Sequence, residues 1–306
     1  MFISSEILIR WTVDMIKSLN TFEKLISYSE ETELQIFEIM EEVESGAFEI
    51  SVEEIREKAK RNIDEMKNSV KNGLLNTDKS QSGLSGGDCA KLVNSFKKKP
   101  ALFGCLYEKI SSYSLAVIEE NARMGKIVAC PTAGSCGIVA SVIVAMSEEF
   151  KLSADEEVNM LITAGTIGYI VSAKLAPAGA VGGCQAECGL ASAMAAAACV
   201  YALKGTARQI VTAATLALKN ILGLTCDPVL GLVEVPCVKR NVFLSTYAIT
   251  AAELAMAGIE SKISPDDVVD ALVQTGQLMS PLLKETSQGG LAATKSAQTF
   301  RETIKF

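Results

Sequence analysis

The chain has 306 residues, 49% hydrophobic and 21% charged, with a net charge of −7. It can bury a sizeable core in one large or two smaller domains, and it offers no basic stripe for nucleic acid or an anionic membrane. Histidine is absent, which excludes a Ser-His-Asp triad, a His-ligated zinc and a histidine base from this chain.

The opening, Met1-Phe-Ile-Ser-Ser-Glu6 followed by Arg10, does not read as a secretory signal. The nine cysteines are therefore expected to be reduced cytoplasmic thiols, free, metal-bound or catalytic. Residues 1–75 read as amphipathic helices packed on a main body at 76–306, the whole forming one continuous domain. In Ser51-Val-Glu-Glu-Ile-Arg-Glu-Lys-Ala, Val52, Ile55 and Ala59 recur at helical spacing, and Ser51 with Glu54 predicts a capping box.

Asn76 to Asp88 is a polar Gly/Ser-rich stretch. It is either a linker or a loop in which Ser82, Ser85 and Gly86 face a substrate. Helical patterning returns from Ala90 to Lys126 and then breaks at Ala129-Cys-Pro-Thr-Ala-Gly-Ser-Cys-Gly137. That turn of small residues would present free backbone N–H groups to a carboxylate or phosphate, but it lacks the P-loop pattern. Ile127–Met146 and Val158–Ala173 carry no charge. Their Pro, Gly, Asn and Thr content favours buried helices over spans, which need about 20 predominantly apolar residues.

From Ser153 onward the chain is rich in Ala, the best helix former. Ser153-Ala-Asp-Glu and Ser264-Pro265-Asp-Asp are helix starts. No alternating strand and no fixed repeat appear, so the predicted fold is all-α: a compact multi-helix domain with cysteine-bearing loops at helix ends.

The cysteines divide by context. Cys89, Cys105, Cys188 and Cys199 fall in helical patterns and are expected to be small buried apolar residues. Cys130 and Cys136 flank the Pro-Thr-Ala-Gly-Ser turn, in a position to line a pocket. Cys184, Cys226 and Cys237 each stand beside Gly or Pro, at spacings of 42 and 11 residues. This is not the short ferredoxin run, so spacing leaves a metal site and a metal-free scaffold both open.

Several segments together resemble the α chain of bacterial iron–sulfur-dependent L-serine dehydratases: Ser82-Gly-Leu-Ser-Gly-Gly-Asp88, Met124-Gly-Lys-Ile-Val-Ala-Cys-Pro-Thr-Ala-Gly-Ser-Cys-Gly137 and Gly182-Gly-Cys-Gln-Ala-Glu-Cys-Gly189. So do Leu222-Gly-Leu-Thr-Cys-Asp-Pro-Val229, Val235-Pro-Cys-Val-Lys-Arg-Asn241 and Lys284-Glu-Thr-Ser-Gln-Gly-Gly-Leu-Ala292. The resemblance implies a [4Fe–4S] cluster on Cys184, Cys226 and Cys237, with one iron left open to act as a Lewis acid on the hydroxyl of L-serine. The products would be pyruvate and ammonia, placing the protein in amino-acid degradation that feeds gluconeogenesis, and the open iron would be oxygen-sensitive.

The same resemblance gives other residues expected roles. Thr132, Ala133, Gly134 and Ser135 would hold the substrate carboxylate, with Thr132, Ser135 and Lys126 in the catalytic set. Ser82, Ser85 and Gly86 would close the pocket. Lys239 and Arg240 would add positive charge, and Asp227 and Glu187 would orient neighbours or cap helices.

Single-chain relatives carry an additional α/β domain with a Ser-Ser-His-Thr motif. This chain is thus expected to pair with a separate β chain, which would supply any histidine. It ends Thr303-Ile-Lys-Phe306, so capping of the open iron by a terminal cysteine is not expected. Rival readings are elimination on L-cysteine or L-threonine, and a redox or sensor protein with a closed, four-cysteine cluster.

Overall fold

The computed structural model describes residues 19–304. The expectations for the opening segment, including Glu6 and Arg10, and for the last two residues lie outside the described part. Among the described residues the protein is helical with no strand, as the absence of alternating patterns predicts.

Three helices come first: α1 (Phe22–Thr32), α2 (Ile36–Phe48) and α3 (Val52–Leu75). In α3, Ser51 caps Glu54 N and the apolar stripe turns Ile55, Ala59, Ile63 and Met66 inward. After the Gly/Ser loop come α4 (Asp88–Lys98), α5 (Cys105–Ala122), α6 (Cys136–Phe150) and α7 (Ala154–Ser172). Ser153 and Glu156 form a reciprocal capping box at the start of α7. Then follow α8 (Gly179–Gly182), a π-helical turn at Gln185–Gly189, α9 (Leu190–Ala202) and α10 (Ala207–Lys219). The last helices are α11 (Cys237–Met256), α12 (Pro265–Leu278) and α13 (Lys295–Thr303).

Every residue of α9 is buried. It packs against α6, α7, α10 and α11, and its Ala-rich faces let those helices approach closely. From Cys136 to Ser147, α6 is likewise buried. One helical stretch among the described residues, Ala133–Phe150, is long and apolar enough to cross a membrane, and 78% of it is buried in the fold. The first three helices share one apolar core with the rest: α2 packs on α7, and α3 packs on α5, α6 and α7.

One end of this bundle positions the site. There the start of α6, the π-helical turn leading into α9, and the start of α11 come together. Helix N-termini carry unpaired N–H groups and a partial positive charge. Three of them meeting favours anions at that end.

Candidate metal centre

Cys184 opens the π-helical turn, Cys226 lies in the loop after α10, and Cys237 is the first residue of α11. All three thiols are free and buried, at 1%, 3% and 8% exposure. They come from distant parts of the sequence to one neighbourhood. Negative charge on Cys184 raises the proton affinity of both Cys226 and Cys237. Burial contributes more to these two shifts, and it holds Cys237 up at about 12. Cys184 moves the other way: a hydrogen bond with Cys188 favours its thiolate first, burial opposes it, and Arg240 adds attraction.

Two side chains that sequence reading missed hold these elements together. Gln185 is fully buried; its Oε1 accepts from Gly223 N at 2.8 Å and its Nε2 donates to Leu272 O at 3.1 Å. Its own backbone N–H donates to Leu224 O at 3.1 Å. The turn bearing Cys184 is therefore tied to the loop bearing Cys226. Asn241, also fully buried, bonds Gly137 N, Gly134 O and Cys237 O at 3.0, 2.8 and 3.0 Å, joining the small-residue turn to the start of α11.

The Cys226 loop is closed from outside by the segment after α12. Cys226 N donates to Leu283 O at 2.9 Å, and Glu285 N donates to Cys226 O at 2.6 Å. Next to Cys226, the Asp227 carboxylate takes Arg240 at 2.8 Å and the backbone N–H of Leu291 at 2.7 Å. Arg240 also donates to Thr225 O at 2.8 Å, so it is spent on holding this loop as well as facing Cys184. Glycine is required beside the thiols: a Cβ on Gly179 would fall 2.5 Å from Cys226 Sγ.

The turn at Thr132–Ser135 lies against this cluster. Thr132 Oγ1 donates to Glu187 Oε1 at 2.6 Å. Glu187 is largely buried, and burial raises its proton affinity, partly offset by that hydrogen bond. The backbone N–H groups of Ala133 and Gly134 have no hydrogen-bond partner among the described residues.

Other predicted residues are placed differently. The hydroxyl of Ser135 is fully buried and spent on Thr132 and Cys130 O within the turn; it braces the turn instead of facing outward. The ammonium of Lys126 pairs with Glu65 at 2.5 Å, with its side chain 79% exposed. It is a surface ion pair.

The Gly/Ser loop is tied to the body of the fold. Ser80, Ser82 and Ser85 all donate to the buried carboxylate of Glu234, at 2.6, 2.7 and 2.5 Å. Gly86, at φ +100°, accepts from Lys79 Nζ at 2.7 Å through its carbonyl. The loop thus wraps the residue three positions before Cys237. Asp88 pairs with Lys239 at 2.5 Å, adding a second tie to α11.

Among the other cysteines, Cys89, Cys130, Cys136, Cys188 and Cys199 are buried, whereas Cys105 is exposed. It starts α5 directly after Gly104.

The fold is a helical bundle that gathers buried thiols at one end, beside a turn with unpaired amides. The chain belongs to the serine dehydratase alpha chain family, whose sequence model matches residues 31–292. It is 42% identical over 282 residues to a "Probable L-serine dehydratase, alpha chain" of Bacillus subtilis, covering 92% of this chain and 94% of that one. It is 38% identical over 283 residues to an "L-serine dehydratase, alpha chain" of Peptoniphilus asaccharolyticus, covering 92% and 97%. It also matches the "L-serine dehydratase" of Helicobacter pylori at 42% identity over 192 residues, 42% of that longer protein.

Proposed function

We propose that this chain is the α subunit of a cytoplasmic L-serine dehydratase, an L-serine ammonia-lyase, with a [4Fe–4S] cluster on Cys184, Cys226 and Cys237. The observation that carries the reading is the convergence of these three buried thiols from the π-helical turn, the loop after α10 and the start of α11. The donor set fits the cofactor. The thiols are unpaired, they oppose one another's ionisation, and they face positive helix ends and Arg240, so a cationic iron core would relieve their repulsion. When bound, such a cluster supplies a Lewis-acidic iron that assists departure of the substrate's hydroxyl.

The chain's own residues account for substrate orientation. The free amides of Ala133 and Gly134 bind the carboxylate of L-serine, where the helix end favours negative charge. Thr132 bonds Glu187 and so sets the turn against the thiol-bearing elements. Ser135 and Asn241 keep the turn rigid from behind, which places the β-hydroxyl on the thiol side. Lys126 takes no part. Loss of water from serine leaves an aminoacrylate, which tautomerises and hydrolyses to pyruvate and ammonia.

The alpha-chain names of the relatives, and the greater length of the Helicobacter protein, support a heteromer with a separate β chain. Anaerobic reconstitution with iron and sulfide, followed by Mössbauer spectroscopy with and without L-serine, tests the reading. A single iron site whose parameters change with serine is expected. Protein that stays colourless and iron-free sinks it. Keto-acid formation from L-serine, L-threonine and L-cysteine, with and without β chain, fixes the substrate and the need for the partner.

A further inference from the structure

Cys188 reads in the sequence as core filling, yet the fold sets it beside the thiol group. Cys188 Sγ, Cys184 Sγ and a carboxylate oxygen of Glu187 all lie within 4.8 Å of one another. The π-helical turn at Gln185–Gly189 carries both Glu187 and Cys188, with Cys184 just ahead of it. We propose that Cys184, Glu187 and Cys188 form a site for one thiophilic divalent cation, zinc or ferrous iron, that shares only Cys184 with the cluster set.

The donors suit such an ion. Zinc takes thiolate sulfur at about 2.3 Å and carboxylate oxygen at about 2.0–2.2 Å in a tetrahedron, which puts neighbouring donors about 3.5–4 Å apart. From a spacing of at most 4.8 Å, this needs a closure of no more than about 1.3 Å, within reach of side-chain rotation. Two soft sulfurs favour zinc, iron or cobalt over magnesium and calcium. Three protein ligands leave a fourth position, as in sites that keep an exchangeable ligand.

The surroundings orient the donors. Thr132 Oγ1 holds Glu187 Oε1 at 2.6 Å, an outer hydrogen bond of the kind that fixes metal ligands. Cys188 Sγ lies 3.9 Å from Gly134 O, whose position is fixed by Asn241. Cys184 and Cys188 are each 1% exposed, so water competes little for the ion. Because Cys184 cannot serve both groups, occupation by a divalent cation and assembly of the cluster exclude each other. That competition rests on the proposed cluster; the cation site itself does not.

The test uses the full chain, purified free of metal and kept anaerobic, titrated with Co2+ and then displaced with Zn2+. Binding of one Co2+ per chain is expected, with charge-transfer absorption matching two thiolates. Cys188→Ser weakens binding by about 100-fold or more, since even outer-sphere partners are worth 10–100-fold, and Glu187→Gln weakens it less. Cys226→Ser and Cys237→Ser bind cobalt as the parent does. Unchanged binding by folded Cys188→Ser, or equal loss in Cys226→Ser or Cys237→Ser, overturns the site.

X-ray absorption of the zinc form of the parent protein gives an answer even if Cys188→Ser misfolds. Two sulfurs with oxygen ligands support the site, and three or more sulfurs defeat it. Iron and sulfide uptake separates the two ideas: Cys188→Ser retains the Mössbauer signature of the cluster, whereas zinc-loaded parent protein fails to acquire it. A parent chain that never takes up iron removes the cluster but leaves the cobalt result standing.

Discussion

Asn241 Nδ2 donates to Gly134 O at 2.8 Å across 107 residues of sequence, inside the fully buried junction of the turn and α11. Asn241→Ala leaves Gly134 O and Gly137 N without that partner. Unsatisfied buried groups cost about 1–3 kcal/mol each, so a loss of about 2–3 kcal/mol in unfolding free energy is expected. Denaturant titration checks it. A change below about 0.5 kcal/mol would mean that the junction does not depend on this amide.

Glu234 gathers three serine hydroxyls. Glu234→Gln replaces an all-acceptor group by one with two N–H donors, so at least one hydroxyl loses its partner. Loosening of the residues before Cys237 follows. Iron bound per chain after reconstitution should fall, together with about 1–3 kcal/mol of stability. Ser82→Ala should do much less, because Ser80 and Ser85 still hold the carboxylate. If Ser82→Ala abolished turnover at unchanged stability, the loop would have to contact substrate.

A Cβ on Gly134 would lie 2.5 Å from Glu187 Oε1. Gly134→Ala therefore pushes the turn off Glu187 while leaving the thiols in place. Misplacement by about 1 Å costs on the order of 100-fold in turnover. We expect that loss in kcat/KM for L-serine at normal iron content. Normal kinetics would remove the turn from the site.

Lys126→Ala breaks one exposed ion pair, of a kind contributing about 0–1 kcal/mol. Steady-state kinetics should give kcat/KM within about twofold of the parent, a variation that needs less than 1 kcal/mol. A loss of about 100-fold would restore Lys126 to the catalytic set.

Asp88 bonds Lys239 and Lys91, and the first of these contributes most to lowering its carboxyl from 3.8 to about 2. A carboxylate depressed in the folded state adds stability that is fully present above its unfolded value near 3.8. That contribution is lost as pH falls toward 2. Urea midpoints of metal-free protein between pH 5 and 2, compared with Asp88→Asn, should show a shallower acid decline in the variant. Parallel curves would contradict the pairing.

Much of the helical frame was legible because its signals are local. Ser51, Ser153 and Ser264 announce helix starts within four residues, and the absence of alternating patterns excluded strands. The turn at Thr132–Ser135 was legible for the same reason, as a short run of small residues opening a helix. The roles of Gln185, Asn241 and Glu234 were not. Each is a polar residue in an unremarkable context, and the partners through which it ties elements together lie 38 to more than 100 residues away. The bonds of Ser82 and Ser85 to Glu234 were not legible either, because that carboxylate lies about 150 residues further along the chain. The pairing of Lys126 with Glu65 was equally hidden, since its partner stands 61 residues earlier.

The backbone pairing of Cys226 with Leu283 and Glu285 bears on biogenesis. While the ribosome is still making the chain, the cysteines at 184, 226 and 237 emerge well before the strip that will clasp the second of them. Until that strip arrives, the loop is held by Gln185 and Arg240 but lacks its clasp on the Cys226 backbone. On the proposed cluster, iron would be secured only after translation has passed Glu285, and a product truncated before Leu283 would lack that clasp.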